Sequence, residues 1–447
     1  MRLNTDKALA AALVASLLTA VGAITYSLTS VFGDRPTNYP DEEFDIAGAA
    51  FERVDYSELD GWRLDEADAS LPAFMRSCRR LSDLPDNAPF AVALSKAGAP
   101  TGVVGDWRAA CKEAPRVFEQ PYADTNAKTS AIRAFYEYHF RPVRIYARLT
   151  PKPGGAAQGK AERLSPLGRF TGYFEPFYEA SPQRTAVYSA PVYARPDDLV
   201  TVDLGLFRPE LAGQRVAGRV KDGVLDPYPN HAAINAGAIV GRARVLAWMR
   251  PTDLFFLQIQ GSGRLSLPAG EVRVGYDGAN GRPYTAIGRT LIDMGALTRE
   301  AVSMQTIRAW LSNAADAEAR KVRETNESFV FFRILDGLPD RNLGPIGAEG
   351  TQLTPGRSLA VDPAYIAYGA PVWISIDGKP ESNKAPVRRL LIAQDTGGAI
   401  KGPVRGDIFV GSGPLAGDVA GGFNEPGEMY VLLPAAVAMQ LPKAEKP

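Results

Sequence analysis

The stretch from Arg389 to Gly413, RLLIAQDTGGAIKGPVRGDIFVGSG, concentrates the side chains best suited to chemistry. An apolar run from Leu390 to Ala393 ends near Asp395. Gly397, Gly398, Gly402 and Gly406 then lead to Asp407, and the strand-like Ile408-Phe409-Val410 follows. A carboxylate at a strand end among bulky apolar neighbours loses water, and that raises its pKa toward the range of a general acid. The glycines let backbone, and so a ligand, approach closely. The alternative is that both aspartates only cap turns, a common fate of Asp beside Gly. Asp395-Thr396-Gly397 also matches half of an aspartic-protease site. That chemistry needs two carboxylates sharing a proton, and the chain holds no second such triplet, so it would require a symmetric dimer. GGAIKG offers Lys401 and glycines but lacks the spacing of a phosphate-binding loop.

The rest of the inventory favours carboxylates as the working groups. Two histidines and two cysteines in 447 residues nearly exclude zinc sites built on His/Cys clusters. Ser-His or Cys-His chemistry would rest on His139 or His231 alone, and His139 falls on the apolar stripe of a helix, as a packed core histidine would. Lys+Arg and Asp+Glu both number 50, so no net charge draws the chain to nucleic acid or anionic lipid. A hydrophobic share of 45% is enough for a large core, and the length predicts two or three domains.

A second polar constellation lies at Leu254-Phe-Phe-Leu-Gln-Ile-Gln-Gly-Ser-Gly263. Read as a strand over 254–260, alternation puts Gln258 and Gln260 on one face and Leu257 and Ile259 on the other. Two amides followed by Ser262 in a Gly-flanked turn suit the hydroxyl and acetamido groups of a sugar; the alternative is an edge strand with two solvated glutamines. Phe170-Thr-Gly-Tyr-Phe-Glu-Pro176 adds aromatic faces, and its Glu175 stays open as a catalytic partner. Gly275-Tyr-Asp-Gly-Ala-Asn-Gly281 reads as a turn-rich hairpin.

These segments must be carried by short strands, expected at 169–174, 254–260, 328–335, 371–376, 388–394 and 429–433. Helical periodicity marks 62–84, with Leu71, Met75 and Cys78, and 125–140. Further helices are expected from Asn230 to Met249, from a Thr285 cap to Gly295, and from Ser303 to about Arg320. Residues 150–166, rich in Pro, Gly and Ala, read as a surface loop. The chain is mixed, mainly β, with at least two lobes. At the N-terminus Ala8 to Thr25 carries no charge and follows Arg2 and Lys7, as in a secretory signal or an uncleaved signal anchor. Export would permit a Cys78–Cys111 disulfide, and the alternative is two buried free thiols.

Taken together, FTGYFEP (170–176), LFFLQIQGSGRL (254–265), VGYDGANGRPYTAIGR (274–289), NESFVFFR (326–333), LTPGRSLAVDP (353–363) and IAQDTGGAIKGPVRGDIFVGSG (392–413) resemble the family of membrane-bound lytic murein transglycosylase A. The resemblance implies a mainly β (α+β) fold, a double-psi β-barrel with a second, smaller β-barrel inserted and a substrate groove between them. The expected divisions are 1–33 as signal peptide or anchor and 50–173 as the first part of the double-psi barrel. Residues 174–323 would be the insert, and 324–443 the second barrel part. The family's three aspartates map onto Asp362, Asp395 and Asp407, the last as acid/base and the others in support. Thr171, Tyr173, Gln258, Gln260, Ser262 and Lys401 are the implied sugar-facing residues.

The implied reaction cleaves the β-1,4 bond between N-acetylmuramic acid and N-acetylglucosamine without water, leaving a 1,6-anhydro end, as part of cell-wall turnover. The resemblance implies no cofactor and no metal. Its partners would be peptidoglycan glycan strands and cell-wall synthesis or division proteins, not nucleic acid, with the enzyme a monomer. Family members often carry a lipid-bearing cysteine near the N-terminus; none stands here, so a periplasmic form or one anchored in the inner membrane through residues 8–25 is expected.

Overall fold

A computed structural model describes residues 44–91, 99–153, 161–208, 211, 215–299, 301–377 and 385–443. The apolar run at 8–25 lies outside them, as does the 154–160 part of the expected surface loop. Strand β1 (Phe44–Arg53) is followed by helices α1 (Leu71–Leu81), α2 (Val104–Glu119) and α3 (Thr125–His139), then β2 (Phe140–Pro151), β3 (Arg163–Ser165) and β4 (Leu167–Glu175). Next come β5 (Phe177–Glu179), β6 (Ala190–Tyr193), β7 (Val200–Asp203), β8 (Arg215–Lys221) and β9 (Val224–Pro227). Helix α4 (His231–Asn235), β10 (Val245–Met249), α5 (Pro251–Gln260), β11 (Ser262–Leu267) and β12 (Gly270–Ala279) continue the chain. Helices α6 (Ile287–Asp293), α7 (Met304–Asn313) and α8 (Asp316–Glu324) precede β13 (Val330–Ile334). The last part holds β14 (Ser358–Val361), β15 (Pro371–Ile376), β16 (Val387–Asp395), β17 (Arg405–Ser412), α9 (Pro414–Gly421), β18 (Asn424–Pro434) and α10 (Ala435–Ala438).

The result is a mixed α/β fold in which the strands at 44–175 and 358–434 share one sheet, ordered β1-β2-β18-β15-β16-β14-β17-β4 with β3 on β2. β4 also pairs with β18, so the hydrogen-bonded neighbours from β18 through β15, β16, β14, β17 and β4 return to β18. Leu390, Leu391, Ile392 and Ala393 of β16 are all fully buried, as a continuous apolar run is when both faces of a strand are covered. Helices α1 to α3 cover this sheet with Phe74, Trp107 and Tyr136 in the same core. Cys78 of α1 and Cys111 of α2 form a disulfide with Cα atoms 5.4 Å apart. Strands between 177 and 334 make three other sheets: β13-β12-β11-β5, β10-β6 and β7-β8-β9.

Several expected elements take another form. Residues 254–260 are helical, in α5: Pro251 opens the helix, Gly261 at φ 77° closes it, and Leu254, Phe255, Phe256 and Leu257 are all buried. A run buried all round carries no period that separates strand from helix. The helix expected from Asn230 to Met249 is only one turn of α4, capped by Asn230 Oδ1 on the Ala233 amide. Gly237 and Gly241 follow at positive φ and turn the chain into β10. The 303–320 helix divides where Ala314 and Ala315 become extended, giving α7 and α8. The 62–84 helix begins only at Leu71, after two 3-10 turns. Ala286, not Thr285, precedes α6, and no side chain caps it. Residues 275–279 extend β12, with a bulge between Tyr276 and Gly278, instead of forming a hairpin turn.

Candidate active site

The aspartates are brought together by strand register. Ala360 of β14 pairs with Asp395 of β16 on one side and with Asp407 of β17 on the other. Asp407 in turn pairs with Thr171 of β4. Paired residues share a face of a sheet, so Asp395, Ala360, Asp407 and Thr171 form one row. Two strand spacings place the aspartate Cα atoms about 10 Å apart, with only the methyl group of Ala360 between them. The row depends on a bulge between Leu359 and Ala360: Leu359 pairs with Ala393, and Gln394 is the extra residue. Without it Gln394 would occupy the place of Asp395, because one residue of slip reverses the face of a side chain.

The two carboxylates are held differently. Asp395 accepts from the Tyr173 hydroxyl on Oδ2 at 2.7 Å and from the Ala348 amide on Oδ1 at 2.9 Å. Asp407 accepts on Oδ1 from Thr171 Oγ1 at 2.6 Å, and its Oδ2 receives no hydrogen bond among the described residues. Arg405 Nη2 donates to the same threonine oxygen at 2.8 Å. Burial pushes Asp407 above the usual carboxylate range, against the opposing pull of the Arg405 guanidinium and the Thr171 hydrogen bond. Burial also raises Asp395, opposed by Tyr173 and the backbone amides and reinforced by Asp407.

Asp362 has another position. Its carboxylate accepts from the Gly402 and Ala364 amides at 2.8 and 3.1 Å, which fastens the glycine-rich turn between β16 and β17. Thr396 Oγ1 ties the start of that turn to the Val361 carbonyl at 2.8 Å.

A groove of about 380 Å³ runs along the row. Its opposite wall comes from residues 258–330: Gln258, Gln260, Tyr276, Tyr284 and Asn326. Gln260 Oε1 accepts from the Phe174 amide at 3.3 Å. Gln258 is buried, and its Nε2 has no hydrogen-bond partner among the described residues. Tyr276 and Tyr284 are 56% and 41% exposed, leaving ring surface free in the groove.

Of the residues expected to face a sugar, Tyr173, Gln258 and Gln260 line the groove, and Thr171 touches it through Asp407. The helix of α5, not strand alternation, presents the two glutamines. Ser262 is buried in β11 opposite Gly275, and Lys401 is exposed on the turn; neither lines the groove. Glu175 is fully buried and spent on Arg264, Arg273 and Ser412. Neither histidine reaches the groove. His139 Nε2 meets Glu113 at 2.7 Å among aromatic rings. His231, pushed down to about 4 by burial, sits behind Asn326, whose carbonyl is 3.1 Å from its Nδ1. Arg405, Ala360, Tyr276, Tyr284, Asn326 and the Ala348 amide were not singled out from sequence. Only Arg405, two residues before Asp407, carried a local signal.

Two half-buried aspartates beside amides and phenols are the side-chain types that acid–base sites use. Comparison with known proteins gives the chain a family. Residues 169–333 match the MltA specific insert domain and residues 357–433 the 3D domain. The crystal structure of a membrane-bound lytic murein transglycosylase from Agrobacterium tumefaciens is 31% identical, with a TM-score of 0.71, covering 88% of this chain and 99% of that one. Escherichia coli MltA with bound chitohexaose is 27% identical, with a TM-score of 0.51 over 74% of this chain and 83% of that one. Membrane-bound lytic murein transglycosylase A of Escherichia coli K12 is 33% identical over 270 residues, 59% of this chain and 65% of the relative's length. The chain belongs to the membrane-bound lytic murein transglycosylase A family.

Proposed function

We propose that this protein is a peptidoglycan lytic transglycosylase that cleaves the β-1,4 bond between N-acetylmuramic acid and N-acetylglucosamine and leaves 1,6-anhydromuramic acid ends. The observation that carries this is the contrast between the aspartates: Asp407 is raised by burial and keeps one oxygen free, while Asp395 is bonded at both. A protonated Asp407 gives its proton to the glycosidic oxygen as the bond to muramyl C1 breaks, and the N-acetylglucosamine 4-hydroxyl leaves. The muramyl C6 hydroxyl then attacks C1, and its proton returns to Asp407. The nucleophile is tethered to the substrate, which supplies part of the entropic advantage. A hydrolase would need a second carboxylate as base or nucleophile. Asp395, with both oxygens occupied, orients the site, and Asp362 holds the turn that carries its neighbours. A shared-proton dyad on Asp395 is disfavoured by the same two hydrogen bonds.

In this reading the circuit of six strands is the double-psi β-barrel, within residues 50–173 and 324–443, and 174–323 carries the inserted smaller barrel, except that β13 (Val330–Ile334) joins the insert's sheet by pairing with β12. The glycan strand lies between them against Tyr276, Tyr284 and the glutamines of α5, consistent with chitohexaose bound to the Escherichia coli relative. The site of action is the periplasm, in cell-wall turnover. No helix among the described residues is long and apolar enough to cross a membrane.

Digestion of purified sacculi with wild type and Asp407→Asn, followed by mass analysis, tests the proposal. Wild type should release anhydromuropeptides and the variant should not. Reducing muramic acid ends would indicate a hydrolase, and wild-type levels of anhydro product from Asp407→Asn would remove Asp407 from the role.

A further inference from the structure

Behind Asp395 lies a buried polar chain that the proposed chemistry does not use. Gln394, the bulge residue, is fully buried. Its Oε1 accepts from Ser358 Oγ at 2.6 Å, and its Nε2 lies 2.9 Å from Ser77 Oγ and 3.0 Å from the Ala73 carbonyl, both on α1. Ser77 donates to Glu349 Oε2 at 2.7 Å, and Thr351 Oγ1 donates to the same oxygen at 3.2 Å. Glu349 Oε1 makes no hydrogen bond among the described residues and faces Arg80 Nε at 3.5 Å, a charge contact only. The backbone closes the arrangement. The Glu349 amide donates to the Gln394 carbonyl at 3.0 Å, and the neighbouring Ala348 amide is the one that reaches Asp395 Oδ1.

A buried carboxyl is costly to keep and is replaceable by an apolar group where it only fills space. Here it fastens the turn in which the residue before it, Ala348, donates to the aspartate of the groove. We infer that Glu349 is a positioning residue: anchored through Ser77 to α1, it holds the 347–351 turn so that the Ala348 amide stays on Asp395. The inference rests on the function proposed above and deepens it.

An amide donated to a carboxylate favours the ionised form. In this reading Asp395 orients the site as the ion, so its ionisation sets the acidic limb of the pH–rate profile; loosening the turn raises its proton affinity and moves that limb to higher pH. The groups facing Asp395 are Tyr173, Asp407, Tyr368 and Thr396. Those facing Glu349 are Arg80 and Arg76 of α1 with Ser77, Thr351 and Gln394. A substitution at position 349 leaves Tyr173, Asp407, Tyr368 and Thr396 in place around Asp395, while Ser77, Thr351 and Arg80 lose the carboxyl they face.

The test measures anhydro product from soluble peptidoglycan-derived glycan strands across pH, with wild type, Glu349→Ala and Glu349→Gln. Glu349→Ala should lower kcat about tenfold with KM within about twofold and shift the acidic limb upward. Glu349→Gln keeps the hydrogen bond from Ser77 and should return both toward wild type. If Glu349→Ala does not fold, Ser77→Ala, which leaves the carboxyl in place, should show the same shift in smaller measure. An unmoved acidic limb in the variant that folds overturns the inference while wild-type anhydro product leaves the proposed function standing. A wild type that makes no anhydro product overturns both.

Discussion

Asp395 and Asp407 pair with the same residue from opposite sides, yet one is held by hydrogen bonds on both oxygens and the other on one. β16 reaches Asp395 through a bulge whose extra residue is hooked into α1, and both oxygens of Asp395 are bonded. β17 delivers Asp407 with one bond, from Thr171. A carboxyl that must give and retake a proton needs an unoccupied oxygen, and one that orients its surroundings does not. The largest expected effect follows. Asp407→Asn should reduce anhydro product formation by about 10³-fold or more, within the span of acid–base contributions, with binding to sacculi retained in a pull-down. Asp395→Asn should cost about 10²-fold in kcat, since an amide still occupies the place but donates where a carboxylate accepted. Equal losses at both positions would break the distinction between them.

The opposite wall contrasts with this row because it offers amides and phenols in place of carboxylates. Gln258 Nε2 is buried without a partner among the described residues, and such a donor costs roughly 1–3 kcal/mol until something accepts from it. A Gln258→Leu variant should therefore raise KM for soluble glycan about tenfold and leave kcat within about threefold, while its melting temperature rises. A variant that loses kcat and not KM would place Gln258 with the reacting groups. The two exposed phenols, Tyr276 and Tyr284, have smaller individual weights in the same direction.

What could be read from the residues follows the same division. β15 spans Pro371–Ile376, as expected, and β4 and β16 lie within two residues of their expected ends, because short apolar runs bounded by Gly and Pro report local structure. Asp395 and Asp407 stood out for the same local reason. The α5 helix did not, since Leu254 to Leu257 are buried on every side and the run has no period to report. The pairings Ala360–Asp395 and Ala360–Asp407 were also hidden, because they depend on register between segments 35 to 47 residues apart and on one bulge. Ala348 acts through its backbone, so its side chain carries no sign of what its amide does. Tyr276 lay inside a segment whose glycines suggested a turn, and its strand forms only against β11 and β13.

The smallest effects test the Thr171 bond itself. A hydrogen bond given to a carboxylate favours its charged form, so Thr171→Val should push Asp407 further up and move the basic limb of the profile, where the acid is lost, to higher pH. Stability follows with a definite sign. Asp407 has a folded-state pKa raised above its unfolded value, so its favourable contribution is complete below the unfolded carboxyl range. That contribution disappears as pH rises through the folded pKa, and the buried anion is then a burden. Asp407→Asn removes that pH-dependent cost above the unfolded carboxyl range, pH 7 included, without changing size. Its melting temperature there should exceed wild type by on the order of 1–2 °C, and the difference should close in acid, where wild type is protonated in both states. Asp395→Asn should gain less, because the anion it removes is held by two donors that the amide no longer satisfies equally. Melting curves of the two variants at neutral and acid pH would reverse that order if Asp395, and not Asp407, were the carboxyl left short of partners.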